Sequence, residues 1–401
     1  MADDFDFYSD EFQNNPIPQY AKMVDQCPFH KNEEQGWYAV FRHADIVNIA
    51  RDNDQYSVRT GPGTTYADEN TVPVLAAADP PLHTKQKKVL APAFNPKIIN
   101  AMEEPIRQFT AARLDQMAAM GNCDFMEELA DQLPIWVVCK LLDIPFDDYL
   151  FLREAVDVMA GSTLQRGDTM EEARMEQLMK IHGYFMPRVE AKIEKDKAGE
   201  ELGDDIVSRL VKGRIDDERI PTLHIISFAQ FLLIAGASTT TVAIGSLFHQ
   251  MMENPDQWNK MKENPSLIDS AIEETLRHDS PVHGLFRTNN EDMMLGDFDL
   301  EQDTKIGLMW AAGNLDPQVF EDPGKFDVER EPKILRKHLA FGHGLHTCIG
   351  GPLARMEVKV IVEEFLKRFE GLERNGAMVP YPYPTLHGPY KLPVKLLPKA
   401  A

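Results

Sequence analysis

Between Ile220 and Met252 the chain carries no Asp, Glu, Lys or Arg. A run this long without charge either crosses a bilayer, which takes about 20 apolar residues, or forms a helix buried inside a fold. Gln230, Ser238, Thr239, Thr240, Thr241, Ser246 and His249 interrupt its apolar residues. Pro221 stands at its start and suits a first helical turn. Charged sequence lies on both sides, and neither flank has a concentrated basic anchor. The run is therefore predicted to be a buried helix, with no membrane involved. The chain has material to cover it: 43% of its 401 residues are hydrophobic, enough for a large core around a bulky group.

The balance of charge narrows the partners. With 64 acidic against 42 basic residues the formal net charge is -22. Such a chain is a poor match for nucleic acid or an anionic membrane surface. The four cysteines, Cys27, Cys123, Cys139 and Cys348, form no CxxC pair. They are too sparse for a disulfide framework. The start, Met1-Ala2-Asp3-Asp4-Phe5, lacks the basic and apolar regions of a secretory signal. A reducing, cytoplasmic setting is expected.

Periodicity gives a helix-rich chain with a minor sheet. Trp37 to Phe41 reads as a strand and Ala44 to Asp52 as a helix. Thr60 to Pro81 is a long Gly- and Pro-bearing loop, of a length often used to bind ligands. From about Asn100 to Met252 the period is mostly helical. Pro281 to Met309 changes to short apolar runs around the polar turn Glu301-Gln302-Asp303, as in a small sheet. The tail from Pro380 to Pro398 is proline-rich and predicted to be extended. No internal repeat or low-complexity linker divides residues 1–401, so one domain is expected.

The segment Phe341-Gly342-His343-Gly344-Leu345-His346-Thr347-Cys348-Ile349-Gly350-Gly351-Pro352 carries the most chemistry. Its four glycines let the backbone turn tightly and approach a flat partner. Val358, Ile361, Val362, Phe365, Leu366 and Phe369 then mark a helical apolar stripe. Cys348 thus stands just before a helix N-terminus, where unpaired N–H groups favour a thiolate. Taken alone, it could be an inert core thiol, a zinc ligand with His343 and His346, or a nucleophile with His346 as base.

The whole segment resembles the cysteine-ligand signature of cytochrome P450, Phe-Gly-x-Gly-x-His-x-Cys-x-Gly, at every fixed position, Gly350 included. The resemblance extends over nearly the whole chain. It implies a mainly α fold with haem b held between a long distal helix and the cysteine-loop helix. Cys348 would be the axial iron ligand, His346 would donate to a haem propionate, and Phe341 would pack near the sulfur. A thiolate ligand pushes electron density toward O₂.

Other segments fall into the same pattern. Glu274-Thr275-Leu276-Arg277 places a carboxylate and a guanidinium three apart on one helix face. It looks like the family's E-x-x-R pair, with Arg330 as third member and a structural role. Asp79-Pro80-Pro81-Leu82-His83 resembles a propionate-binding segment and carries His83 onto that role. Lys87 stands where the family commonly has arginine, and it lacks the bidentate fork. Arg287 resembles the family's propionate-binding arginine on a strand. Lys85, Lys88, Lys333, Arg336, Lys337, Arg355 and Lys359 lie near these segments and could form a basic face for an acidic electron donor.

In the charge-free run, Ala235-Gly236-Ala237-Ser238-Thr239-Thr240 looks like the stretch over the distal haem face. Ala235 and Thr239 share one helix face. A hydroxyl there can bond the carbonyl four residues back and locally open the helix. Thr239 takes the place of the alcohol that organises protons. The departure is Ser238, where the family usually has Asp or Glu; serine relays a proton but does not store one at neutral pH.

The resemblance implies a monooxygenase acting on an apolar small molecule. NAD(P)H would supply electrons through a separate ferredoxin and reductase, because no flavin or iron–sulfur segment is visible. Ser238 motivates an alternative, a peroxygenase or isomerase. A haem sensor or carrier without turnover is the reading from another class. The substrate pocket is expected to draw on Thr60–Ala78 with Leu75, Phe151–Leu164, Ala235–Thr239, Val282–Phe286 with Leu285, and Pro384–His387. His283 and His387 are candidates for a polar spot in it.

Overall fold

The structure is a computed structural model, and it describes residues 5–64, 66, 72–161, 168–382 and 385–399. The charge-free run forms one unbroken helix, Thr222–Glu253. Among the described residues it is the only helix apolar and long enough to cross a membrane, and 67% of its most apolar window is buried inside the fold. Helices Gln132–Leu142, Tyr149–Gly161, Asp168–Lys197, Ile268–His278 and Gly351–Arg368 pack around it.

This central helix joins two cores. Its first half, including Ile226, Phe228 and Leu233, packs with Leu152, Ile181 and Phe185. Its second half, including Ile244, Leu247 and Phe248, packs with Phe125, Trp258 and Phe365. The polar residues Ser238 to Thr241 fall at the changeover between the two. That position explains why a buried helix keeps them.

A five-stranded sheet flanks the helices. Its order is Phe29–Asn32, Trp37–Val40, Lys305–Leu308, Leu285–Asn289, Tyr56–Ser57. All neighbours are antiparallel except Trp37–Val40 with Lys305–Leu308. The turn at Glu301 to Asp303 separates two sheets, not two strands of one hairpin. Phe298–Leu300 pairs back with Met293–Leu295, whereas Lys305–Leu308 joins the larger sheet. The proline-rich tail is extended, as strands Pro389–Lys391 and Pro393–Pro398.

Glu274 and Arg277, both with fully buried side chains, tie the Ile268–His278 helix to the chain beyond the sheet. Arg277 donates to the carbonyls of Asn314, Pro323 and Lys325. Arg330 Nε reaches both Glu274 oxygens at 3.2 and 3.3 Å, and the Asp327 amide donates to Oε1 at 2.9 Å. One carboxylate thus gathers two guanidiniums and a backbone amide, which satisfies a charge that would otherwise be costly to bury.

Candidate active site

The cysteine loop is shaped by its glycines. Gly342 and Gly344 hold left-handed backbone, with φ of 69° and 74°. A Cβ on Gly344 would lie 2.4 Å from the Ala50 carbonyl oxygen, so no side chain fits there. The Cys348 amide donates to the Phe341 carbonyl at 2.9 Å and closes the loop. Arg355 lies over the Phe341 ring, 4.3 Å from its centroid, and Glu273 accepts from both Nε and Nη2 on one edge of its guanidinium.

Cys348 opens onto an internal cavity of about 500 Å³. Burial from bulk water pushes its thiol up, while the amides of Gly350 and Gly351 and the charge of Arg355 pull it down. The helix end therefore acts in the expected direction, but burial outweighs it. A bound metal cation would remove the proton outright. Leu353 and Val358 of the following helix line the cavity near the thiol. The central helix contributes Ala235, Ser238, Thr239 and Ala243 to the same lining. Ser238 Oγ donates to the Ile234 carbonyl at 3.1 Å and Thr239 Oγ1 to that of Ala235 at 3.0 Å. The expected i−4 bonds form, yet the helix does not open. Both hydroxyl oxygens keep lone pairs for accepting a proton.

Another part of the lining is basic, with Arg287 and Lys87 carrying the charge beside His83 and His346. His83 and Arg287 are buried, and the His83 and His346 rings lie 4.4 Å apart. Burial holds Arg287 down at about 10. Burial, then the neighbouring Arg287, His83 and Lys87, push His346 down to about 3. His83 Nδ1 and both His346 nitrogens are buried without a well-formed hydrogen bond. Arg287 Nη1 donates only to the adjacent Phe286 carbonyl, at 3.0 Å. Buried polar groups normally find partners. Polar atoms left without good partners around a buried guanidinium fit an anionic guest, and two carboxylates on a flat apolar body match the cavity's chemistry. Lys87 is less available, since its Nζ donates to the Leu345 carbonyl at 2.9 Å.

The family model of cytochrome P450 matches residues 155–394, more than half of the chain. The chain belongs to the cytochrome P450 family. Cytochrome P450 130 of Mycobacterium tuberculosis is 29% identical over 386 residues, 93% of each chain. Cyclomarin C epoxidase CymV of Salinispora arenicola is 29% identical over 376 residues, 92% of this chain and 93% of that one. A crystal structure of CYP109E1 from Bacillus megaterium in complex with testosterone superposes with a TM-score of 0.87. It has 26% identity and covers 96% of this chain and 99% of that one. Membership of the P450 family implies haem, and the thiol, the apolar lining and the basic lining fit it.

Not every expected pocket residue lines this P450's cavity. Leu75, Ala235, Val282 and Leu285 do. Phe286 does not, and its assignment to the pocket is corrected. Side chains alternate along Leu285–Asn289, so Leu285 and Arg287 face the cavity while Phe286 points the other way. Its ring meets Trp37 edge-on at 5.2 Å. His283 is fully buried elsewhere and shares a 2.7 Å hydrogen bond with the Tyr20 hydroxyl. His387 also faces away, with Nε2 3.6 Å from Asp279 Oδ1. Of the expected pocket segments, residues 65, 67–71, 162–164 and 384 lie outside the described residues.

Two cavity residues escaped the sequence reading. Glu357 is buried on the cysteine-loop helix, and Oε2 has no partner. Burial raises its carboxyl well above the ordinary range. Its spacing from Leu353, Val360 and Glu364 on one buried face was the available signal. Trp310 is buried at the end of the sheet, and its indole nitrogen is also without a partner. Nothing in its local sequence distinguishes it from a core tryptophan.

Proposed function

We propose that this P450 inserts one oxygen atom from O₂ into a small to medium apolar organic substrate, by hydroxylation or oxidative dealkylation. The observation that carries the reading is that Cys348 and Thr239 line one largely apolar cavity. Haem b bound through Cys348 supplies the oxygen activation. His83, Arg287 and His346 would hold its carboxylates. Leu75, Val282 and Leu285 would press an apolar substrate toward the distal helix and exclude water. Testosterone bound to the related CYP109E1 supports an apolar substrate.

Proton delivery falls to Thr239, Ser238 and Glu357. The two hydroxyls accept and pass protons but cannot store one. Burial favours the protonated form of Glu357, which lines the same cavity as Ala243 and Val358. It supports the reading of a stored proton in place of the acid missing at position 238.

Electrons would come from NAD(P)H through a ferredoxin and its reductase in the cytoplasm. Lys88, Lys333, Arg336 and Lys337 are exposed and have no ion pair among the described residues, which supports their serving as a basic face for the donor. Lys85 is paired with Asp216, Arg355 with Glu273 and Lys359 with Asp269.

The ferrous–CO spectrum of wild type and Cys348→Ala tests the central claim. The thiolate-type red shift is expected in wild type and its loss in the variant; a wild type without it defeats the reading. Screening apolar compounds for a haem spin-state shift then identifies the substrate class. Ser238 favours one second reading, a peroxygenase or isomerase. That reading fails if turnover needs ferredoxin and reduced nicotinamide and the product carries oxygen from labelled O₂.

A further inference from the structure

We infer that the indole N–H of Trp310 is a further donor to the haem carboxylates, an inference that rests on the haem reading above. Trp310 is 3% exposed. A buried indole N–H can only donate, and it usually finds an acceptor. Here Nε1 has none. The side chain lines the same cavity as His83, Arg287 and His346. Its ring is fixed by packing against Tyr38, Ile46, Ile49, Leu308 and Leu339, and it opens the short helix Trp310–Gly313.

The polar groups of this cavity are poorly partnered. His83 Nδ1 and Trp310 Nε1 have no hydrogen-bond partner among the described residues, and His346 has only a poorly formed contact with the Leu75 backbone. The carboxylate near His83 and Arg287, Asp79, is already engaged by the Ser57 hydroxyl and the Val58 amide. The acceptor that completes them is therefore a guest. Each ionised carboxylate offers about four lone-pair sites, more than His83, Arg287 and His346 supply to two of them. Lys87 adds little, because it lacks a fork and serves the Leu345 carbonyl. A rigid, neutral donor at Trp310 adds a directed bond without adding to the positive charge of Arg287 and Lys87.

The test uses holoenzyme of wild type, Trp310→Phe and Trp310→His. Two quantities are read: the rate of haem transfer to excess apomyoglobin, and the haem carboxylate bending band in resonance Raman. Trp310→Phe keeps a ring and removes the donor. It is expected to release haem about tenfold faster, the scale of one lost hydrogen bond to a charged group, and to shift the band. Trp310→His restores an N–H and is expected to recover most of both. A Phe variant within about twofold of wild type, with an unmoved band, overturns the inference. So do Phe and His variants that release haem equally fast, since packing would then explain the loss. A wild type that binds no haem overturns the underlying reading and this inference with it.

Discussion

Arg277 and Glu274 meet in a two-pronged ion pair sealed from solvent, Nε to Oε2 at 2.7 Å and Nη2 to Oε1 at 2.8 Å. The remaining guanidinium hydrogens are spent on three carbonyls, so no other side chain can replace the fork. Arg277→Lys keeps the charge but loses the geometry. Breaking one partner of a buried pair typically costs about 3–5 kcal/mol. The expected result is little soluble holoprotein, with a denaturation midpoint well below wild type for what remains.

Glu273 gives a second, pH-dependent expectation. Burial alone would raise its carboxyl, but Arg355 and His338 outweigh that and hold it at about 2. Its unfolded value is the ordinary 4.5. The unfolded chain therefore binds more protons between these values. The stabilisation is complete above pH 4.5 and is lost as the pH falls toward 2. Arg355 is 38% exposed on its side chain, which screens the pair, so the contribution is about 1–2 kcal/mol. Glu273→Gln is expected to flatten this acid limb in denaturation curves taken from pH 5 to pH 3. An unchanged slope would assign the limb to other carboxylates.

What the sequence disclosed follows from how each residue is constrained. Gly342, Gly344 and Cys348 are legible because their spacing encodes a backbone path that few sequences can follow. Glu274 and Arg277 are legible because they sit three apart on one helix. The central helix is legible because a charge-free run has few fates. Phe286 was misassigned because a strand has two faces, and only the pairing with Lys305–Leu308 shows which one meets the cavity. His283 and His387 look like pocket ligands until Tyr20 and Asp279, distant in sequence, are seen beside them. Trp310 was invisible for the same reason, and Glu357 showed only its place on a buried helix face. Their meaning lies in lacking a partner, and that is a property of three dimensions.

Lys305 yields a third expectation. It is 2% exposed, and its ammonium donates to the carbonyls of Thr60 and Gly61 at 2.9 and 2.8 Å. It thereby pins the start of the loop that carries Pro62 and Leu75 into the cavity. Burial lowers it to about 8 from 10.5. Between those values the unfolded state binds more protons, so stability rises with pH across that interval. Lys305→Met should lose the rise. It should also free the loop and weaken the binding of a spin-shifting apolar ligand several-fold in optical titration. A variant with unaltered affinity would show that the loop is held by other contacts.

Glu357 separates a chemical role from a structural one. Burial raises its carboxyl well above the ordinary 4.5 in the fold, whereas the unfolded chain ionises near that value. Stability therefore falls as the pH rises above that value, because the folded state is the one that retains the proton. Glu357→Gln removes this slope and is expected to raise the melting temperature at neutral pH by about 2 °C or more. If Glu357 supplies the proton to Thr239, the same variant loses coupling. The fraction of reduced nicotinamide that ends in product rather than peroxide should drop at least about tenfold. Adding Ser238→Asp restores an acid beside Thr239 and should recover part of it. A purely structural residue would move stability and coupling together; a proton store moves them in opposite directions. Full coupling in Glu357→Gln would remove it from the relay and leave Ser238 and solvent as the source.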